Sequence, residues 1–230
     1  MSEFFAHLSE FFAQYGDLLI KNTWITIYVT TLSTFFSYVF GVPLGVLLII
    51  TQPHGIWAHR TLNSVLGWIV NIGRSIPFII LMVAVMPLTR SVMGIAIGPK
   101  AAILPLVIAA TPFVARLVES SLQEVDSGVI EVAQSTGSTI GQIVWKVILP
   151  ESLPSMVLGA SISFITILGY TAMAGAIGAG GLGDVAIRYG YYKYQTDVMF
   201  ATIIILIVLV AVIQLLGNGI SRKIDRRIKK

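Results

Sequence analysis

The 230-residue chain is 56% hydrophobic and only 11% charged, with a mean hydropathy of +0.87. Soluble domains carry about 25% charged residues, so this composition excludes an ordinary water-soluble protein and describes a membrane one. The lack of cysteine excludes disulfides and thiolate metal sites, and a net charge of +4 does not point to nucleic acid. Six of the fifteen basic residues fall in the last nine positions, from Arg222 to Lys230, which leaves the rest of the chain near neutral. Such a tail reads as a topology anchor or a lipid-headgroup contact.

Residues 1–22 have no basic leading region, and Glu3 and Glu10 interrupt any apolar run, so they do not read as a cleavable signal peptide. Phe4, Leu8, Phe11, Tyr15 and Leu18 recur at helical spacing and predict an amphipathic helix, either in the membrane interface or against its own bundle. Five apolar spans follow, at about 24–50, 62–88, 101–118, 153–174 and 198–216. Trp24 and Tyr28 suit an aromatic belt, and Gly41, Pro43 and Gly45 allow a kink or close packing. The last span has no charge for 19 residues, about 28 Å of helix, close to the hydrocarbon thickness. The expected fold is therefore all-α, with five transmembrane helices. An odd number of spans puts the termini on opposite sides, and the basic tail at 222–230 puts the C-terminus in the cytosol and the N-terminus outside.

Between the third and fourth spans lies a polar island within 123–150. Asp126 is a candidate N-cap for a short helix over about Ser127–Ser135. Gly137 sits where a helix-ending left-handed residue is wanted, and Thr139 with Gln142 makes a capping box for a second short helix. Pro150 disfavours a helical residue before it and predicts a stop near Leu149. Each helix is too short to span, so the hairpin belongs at the cytosolic surface.

Other motifs compete with plainer readings. Gly178, Gly180 and Gly183 formally match a dinucleotide fingerprint, but that motif needs a strand before it and a helix after it. Glycines here instead permit irregular backbone at membrane depth, or a simple external loop. Arg74 is the deepest-looking charge, either a carboxylate ligand or a staple for a helix kinked at Pro77. Arg116 and Glu119 read as an interfacial ion pair of little worth. Met173 is either a flexible apolar gate or core filler. No GxxxxGK[ST] loop and no catalytic constellation occurs, so the chain is not expected to bind ATP in a P-loop of its own.

The island also carries a resemblance. Glu131, Val132, Ala133, three residues, Gly137, nine residues, then Val147, Ile148, Leu149 and Pro150 resembles the Glu-Ala-Ala loop of ABC importer permeases, with Val132 and Val147 as mild departures. The segments Asn71–Leu81, Gly169–Gly175, Gly178–Gly183 and Tyr189–Tyr191 are similar to the methionine-importer branch. The last glycine run alone is shared with betaine and phosphonate permeases. The resemblance implies that Glu131, Ala133, Gly137, Leu149 and Pro150 couple to an ATPase, and that Arg74, Tyr170, Met173 and Gly180 belong to the pathway or its gate. It implies a homodimer in a bacterial inner membrane, two cytosolic ATP-binding cassette subunits, an external substrate-binding lipoprotein and contact with lipid. No cofactor is expected on this chain; ATP and Mg would sit on the partner ATPase. The implied function is methionine import by alternating access, D-methionine and derivatives included. A permease for another small solute, or a stand-alone channel, is the alternative.

Overall fold

The computed structural model describes residues 2–225, with side chains from residue 9 onward. Among the described residues there is no strand. The helices are α1 (Ser2–Ile50), α2 (Arg60–Ser75), α3 (Phe78–Met93), α4 (Pro99–Gln123), α5 (Ser127–Ser135), α6 (Ile140–Ile143), α7 (Leu149–Gly175), α8 (Gly181–Val185) and α9 (Thr196–Ile224). Two π-helical turns, Val144–Ile148 and Ala186–Tyr191, lead into α7 and follow α8. Of the basic tail, Arg226, Arg227, Lys229 and Lys230 lie outside the described residues, as do the side chains of Phe4 and Leu8.

Among the described residues four helices are long and apolar enough to cross a membrane, and α2 with α3 makes a fifth crossing if that bent pair counts as one span. The expected span over 62–88 is thus two helices, bent by 105°. Pro77 is the cause: it drives Ile76 to an extended backbone (φ −83°, ψ 123°), where α2 ends. The expected interfacial helix over 1–22 and the span beginning at 24 are one uninterrupted helix, α1. Asn22 and Thr23, polar residues at the expected boundary, donate to the carbonyls of Leu18 and Leu19 and so sit in the helix without orphaned groups.

The chain divides into two compact units. The first comprises Met1–Ser33, Phe78–Leu106 and Thr166–Ala211, with Leu19, Val185 and Val198 at the centre of one cluster and Tyr15 and Tyr189 against it. The second comprises Thr34–Pro77, Val107–Ile165 and Val212–Lys230. Its core gathers Val114, Val118, Leu122, Val125, Ile143 and Ile148, from α4 and the hairpin. A neighbouring cluster joins Leu48, Val70 and Ala115 from α1, α2 and α4.

Small residues set these helix contacts. A Cβ added to Gly41 would lie 2.6 Å from Val114, and one on Gly45 would lie 2.8 Å from the Ala115 carbonyl. The second half of α1 therefore uses its glycines for close packing on α4. Gly73 of α2 meets Pro112 of α4 in the same way.

Candidate functional site

The hairpin at 126–149 is built from local signals. Asp126 accepts from the Gly128 amide at 2.7 Å and caps α5. After Thr136, Gly137 takes φ +77°, its amide bonds to Gln134, and the Ser138 amide reaches Ala133 at 3.2 Å. These paired bonds satisfy the last carbonyls of α5 and turn the chain. Both halves of the Thr139–Gln142 capping box are present, at 2.9 and 3.4 Å.

Pro150 does not end the second helix. After only four residues, α6 widens into the π turn Val144–Ile148, the Leu149 amide bonds to Val144, and α7 continues through Pro150. In an α-helix the proline ring crowds the carbonyl four residues back. A turn widened just before it gives that ring room, so the helix continues where the sequence predicts a stop.

Ala133 and Leu149 pack on the hydrophobic core, while Glu131, Gly137 and Pro150 are exposed. The five motif residues therefore divide into two that hold the hairpin down and three that it presents. Glu131 and Gln134 line a cleft of about 330 Å³ with Gln52 and His54 of the loop after α1. Val132 and Trp145 are 64% and 74% exposed, an unusual amount of apolar surface for so polar a hairpin. Uncovered apolar side chains on a polar rim suit a protein partner.

Arg74 lies in the second unit, and Tyr170, Met173 and Gly180 lie in the first. Arg74 is exposed and makes no ion pair or hydrogen bond among the described residues. Arg116, by contrast, binds Glu119 at 2.6 Å and Asn71 at 2.9 Å, and Gln52 donates to Glu119 at 3.1 Å. Glu119 is 6% exposed. The pair expected to be an interfacial contact of little worth is one part of a partly buried network joining the loop after α1 to α2 and α4.

In the first unit Tyr170 stacks on Phe78, with centroids 4.6 Å apart and planes 3° from parallel. Phe78 is the first residue of α3, immediately after the Pro77 break. Met173 is half-exposed one turn further along α7. Gly180 has φ +74° and precedes α8, whose first amides are capped from α1: Gly181 donates to Asn22 Oδ1 at 3.2 Å and Leu182 to Thr26 Oγ1 at 2.9 Å. The Gly181 and Leu182 amides of the glycine loop are thus tied to side chains of α1. Asn22, Thr26 and Phe78 were not predicted as site residues; the only trace in the sequence was Phe78 directly after Pro77.

Residues 41–230 match the family model of the binding-protein-dependent transport system inner membrane component. The chain belongs to that family. It is similar to a probable D-methionine transport system permease protein, MetI, of Vibrio cholerae, with 48% identity over 97% of this chain and 99% of that one. It is also 44% identical to the methionine import system permease protein MetP of Bacillus subtilis, over 79% of this chain and 82% of that one. A chain from a solved structure of the MetNI methionine ABC transporter in inward-facing conformations has a TM-score of 0.92 and 47% identity, covering 93% of this chain and 99% of that one. As a member of this family, the chain is a multi-pass inner-membrane transport subunit and not an enzyme.

Proposed function

We propose that this chain is the transmembrane permease subunit of an ATP-driven importer of methionine, with D-methionine and related derivatives among its substrates. The near full-length likeness to permeases named for methionine carries the reading. Two copies form the pathway, with the N-terminus of each outside and the C-terminus in the cytosol. Two cytosolic ATP-binding cassette subunits grip the paired hairpins, and an external binding lipoprotein delivers the solute. ATP and Mg belong to those partners, whose hydrolysis supplies the energy.

The hairpin is suited to receive that energy. Its caps make it a stiff lever, Glu131 and Val132 present a charge and an apolar knob, and Ala133 and Leu149 join it to the core beneath. Movement of the partners is passed through the continuous α6–α7 backbone, which runs from the hairpin into a membrane span. Tyr170, Met173 and Gly180 serve the gate, and the difference in hairpin contacts between two states biases the pathway outward or inward.

The test is reconstitution. The chain should co-purify with an ATP-binding cassette subunit, and vesicles should accumulate labelled methionine only with ATP and a binding protein. Equal competition by betaine or a phosphonate would overturn the substrate. Conductance by the chain alone, without an ATPase, would overturn the permease reading.

A further inference from the structure

Helix α2 has three faces. Leu66 and Val70 pack with Leu48 and Ala115. Val65, Ile69 and Ile72, with Trp68 beside them, make a second face that is apolar and exposed, as a lipid-facing surface must be. On the third, Arg60, Ser64, Asn71 and Arg74 recur at helical spacing, with Gly67 between them, and all four side chains are exposed. At 1.5 Å rise per residue the stripe runs about 21 Å from Arg60 to Arg74.

An exposed stripe with two arginines does not face acyl chains. Neither Arg60 nor Arg74 makes an ion pair or hydrogen bond among the described residues, and an unpaired cation in hydrocarbon is strongly disfavoured. Nor does the stripe suit contact with the same stripe on a second copy. A two-fold interface sets a patch against itself, which would bring like charges together. What remains is water. Arg116 extends the polar surface from α4, by donating to Asn71 at 2.9 Å and towards the Gly67 carbonyl at 3.4 Å. Its own charge is balanced by Glu119, so the net field of the stripe comes from Arg60 and Arg74.

We infer that this face of α2 lines the water-filled cytosolic half of the translocation pathway, where Arg60 and Arg74 attract the carboxylate of a zwitterionic or anionic solute and repel cations. The assignment rests on the permease reading and gives that site its electrostatics. In the proposed topology the stripe starts at the cytosolic end of α2 and stops at the Pro77 break, so it spans the exit half alone. Arginine suits this role because its planar fork pairs with a carboxylate while its charge persists at every physiological pH.

The chain has no cysteine, so single thiols report cleanly. S64C and S75C on the polar face, and V65C and I72C on the apolar face, are made in the transporter assembled with its ATPase subunits in nanodiscs. Each is treated with two membrane-impermeant methanethiosulfonates, one sulfonate and one quaternary ammonium. The ratio of their rates cancels the reactivity of the thiol and leaves the local potential. S64C and S75C should label, with the anionic reagent faster by about tenfold, the lower end of what a focused surface field does to the on-rate of a charged ligand. Adding R74Q should collapse that ratio at S75C, while V65C and I72C should resist both reagents.

Silent polar positions, a ratio near one, or a spontaneous S64C disulfide between copies would each overturn the assignment. In uptake, methionine moved per ATP hydrolysed should fall about tenfold in R74Q and recover in R74K. Unchanged uptake in R74Q would remove the carboxylate role. The labelling is blind to cargo, so a wild-type complex that fails to move methionine sinks the substrate reading and leaves the stripe to be judged by its own result.

Discussion

The hairpin and the glycine loop each turn the chain with left-handed glycines, yet only the loop also needs glycine for space. Around Gly137 (φ +77°) a Cβ would meet nothing within 4 Å, so only the backbone conformation demands glycine there. Around the loop a demand for space is added to that of the backbone. A Cβ on Gly183 would collide with the backbone of Ala172, and one on Gly181 (φ +80°) would lie 2.7 Å from Thr26 Oγ1. An exposed lever can accept a change that a packed turn cannot. The largest effect is therefore expected at Gly183→Ala. Its neighbour is backbone and not a side-chain tip, so relief requires moving α7 or α8, at about 3 kcal/mol, the upper end for an overpacked site. Reversible unfolding in mixed micelles measures it, and wild-type stability would show that the loop relaxes freely.

Next in size is the tether of that loop. Thr26→Val keeps the shape of the side chain but leaves the buried Leu182 amide without its partner. An unsatisfied buried donor costs about 1–3 kcal/mol, and Thr26→Ser should restore most of it. If Val and Ser behave alike, the hydroxyl is not what holds the loop. No residue of the hairpin has a comparable long-range tether, since Asp126, Thr139 and Gln142 are capped within three residues of themselves.

The Arg116–Glu119 network falls between these cases. Glu119 is nearly buried, but 28% of the Arg116 side chain is exposed, so solvent screens part of the attraction. Glu119→Gln keeps a hydrogen-bond acceptor for Gln52 and Arg116 while removing the charge. A loss of about 1–2 kcal/mol is expected, with Asn71 still holding the guanidinium. A double-mutant cycle with Gln52→Ala separates the two bonds on Glu119. Additive losses would mean that they do not form one network.

The same contrast explains what was legible in the sequence. Apolar runs of span length are a compositional fact, so the membrane class and the four long apolar helices could be read directly. The caps of the hairpin depend on neighbours within three or four residues, and Asp126, Gly137 and Thr139–Gln142 all appear where those local rules put them. Nothing local announces that Asn22 will bond Gly181, 159 residues away, or that Gln52 will bond Glu119. The spacing of Arg116 and Glu119 was visible, but burial decides the worth of such a pair, and burial is tertiary. The two prolines mislead for a related reason. Pro77 breaks its helix and Pro150 does not, because the turn before Pro150 is free to widen into a π turn.

The smallest effect on stability, and the sharpest on coupling, is expected at Gly137→Ala. The new methyl meets open space, so the cost is the left-handed backbone alone, about 1–2 kcal/mol. Part of that is relieved if the exposed turn shifts, because α5 is held by its own cap and by Ile130 and Ala133 on the core. The complex should therefore assemble with nearly wild-type thermal stability. The angle between α5 and α6 has to change, however, and with it the direction in which Glu131 and Val132 are presented. If the hairpin is the lever, ATP hydrolysis should continue while methionine uptake per ATP falls several-fold. Gly137→Asn, which tolerates the left-handed region better than alanine, should recover most of that coupling. Uptake per ATP that is equal in the wild type and both variants would take the hinge role away from Gly137.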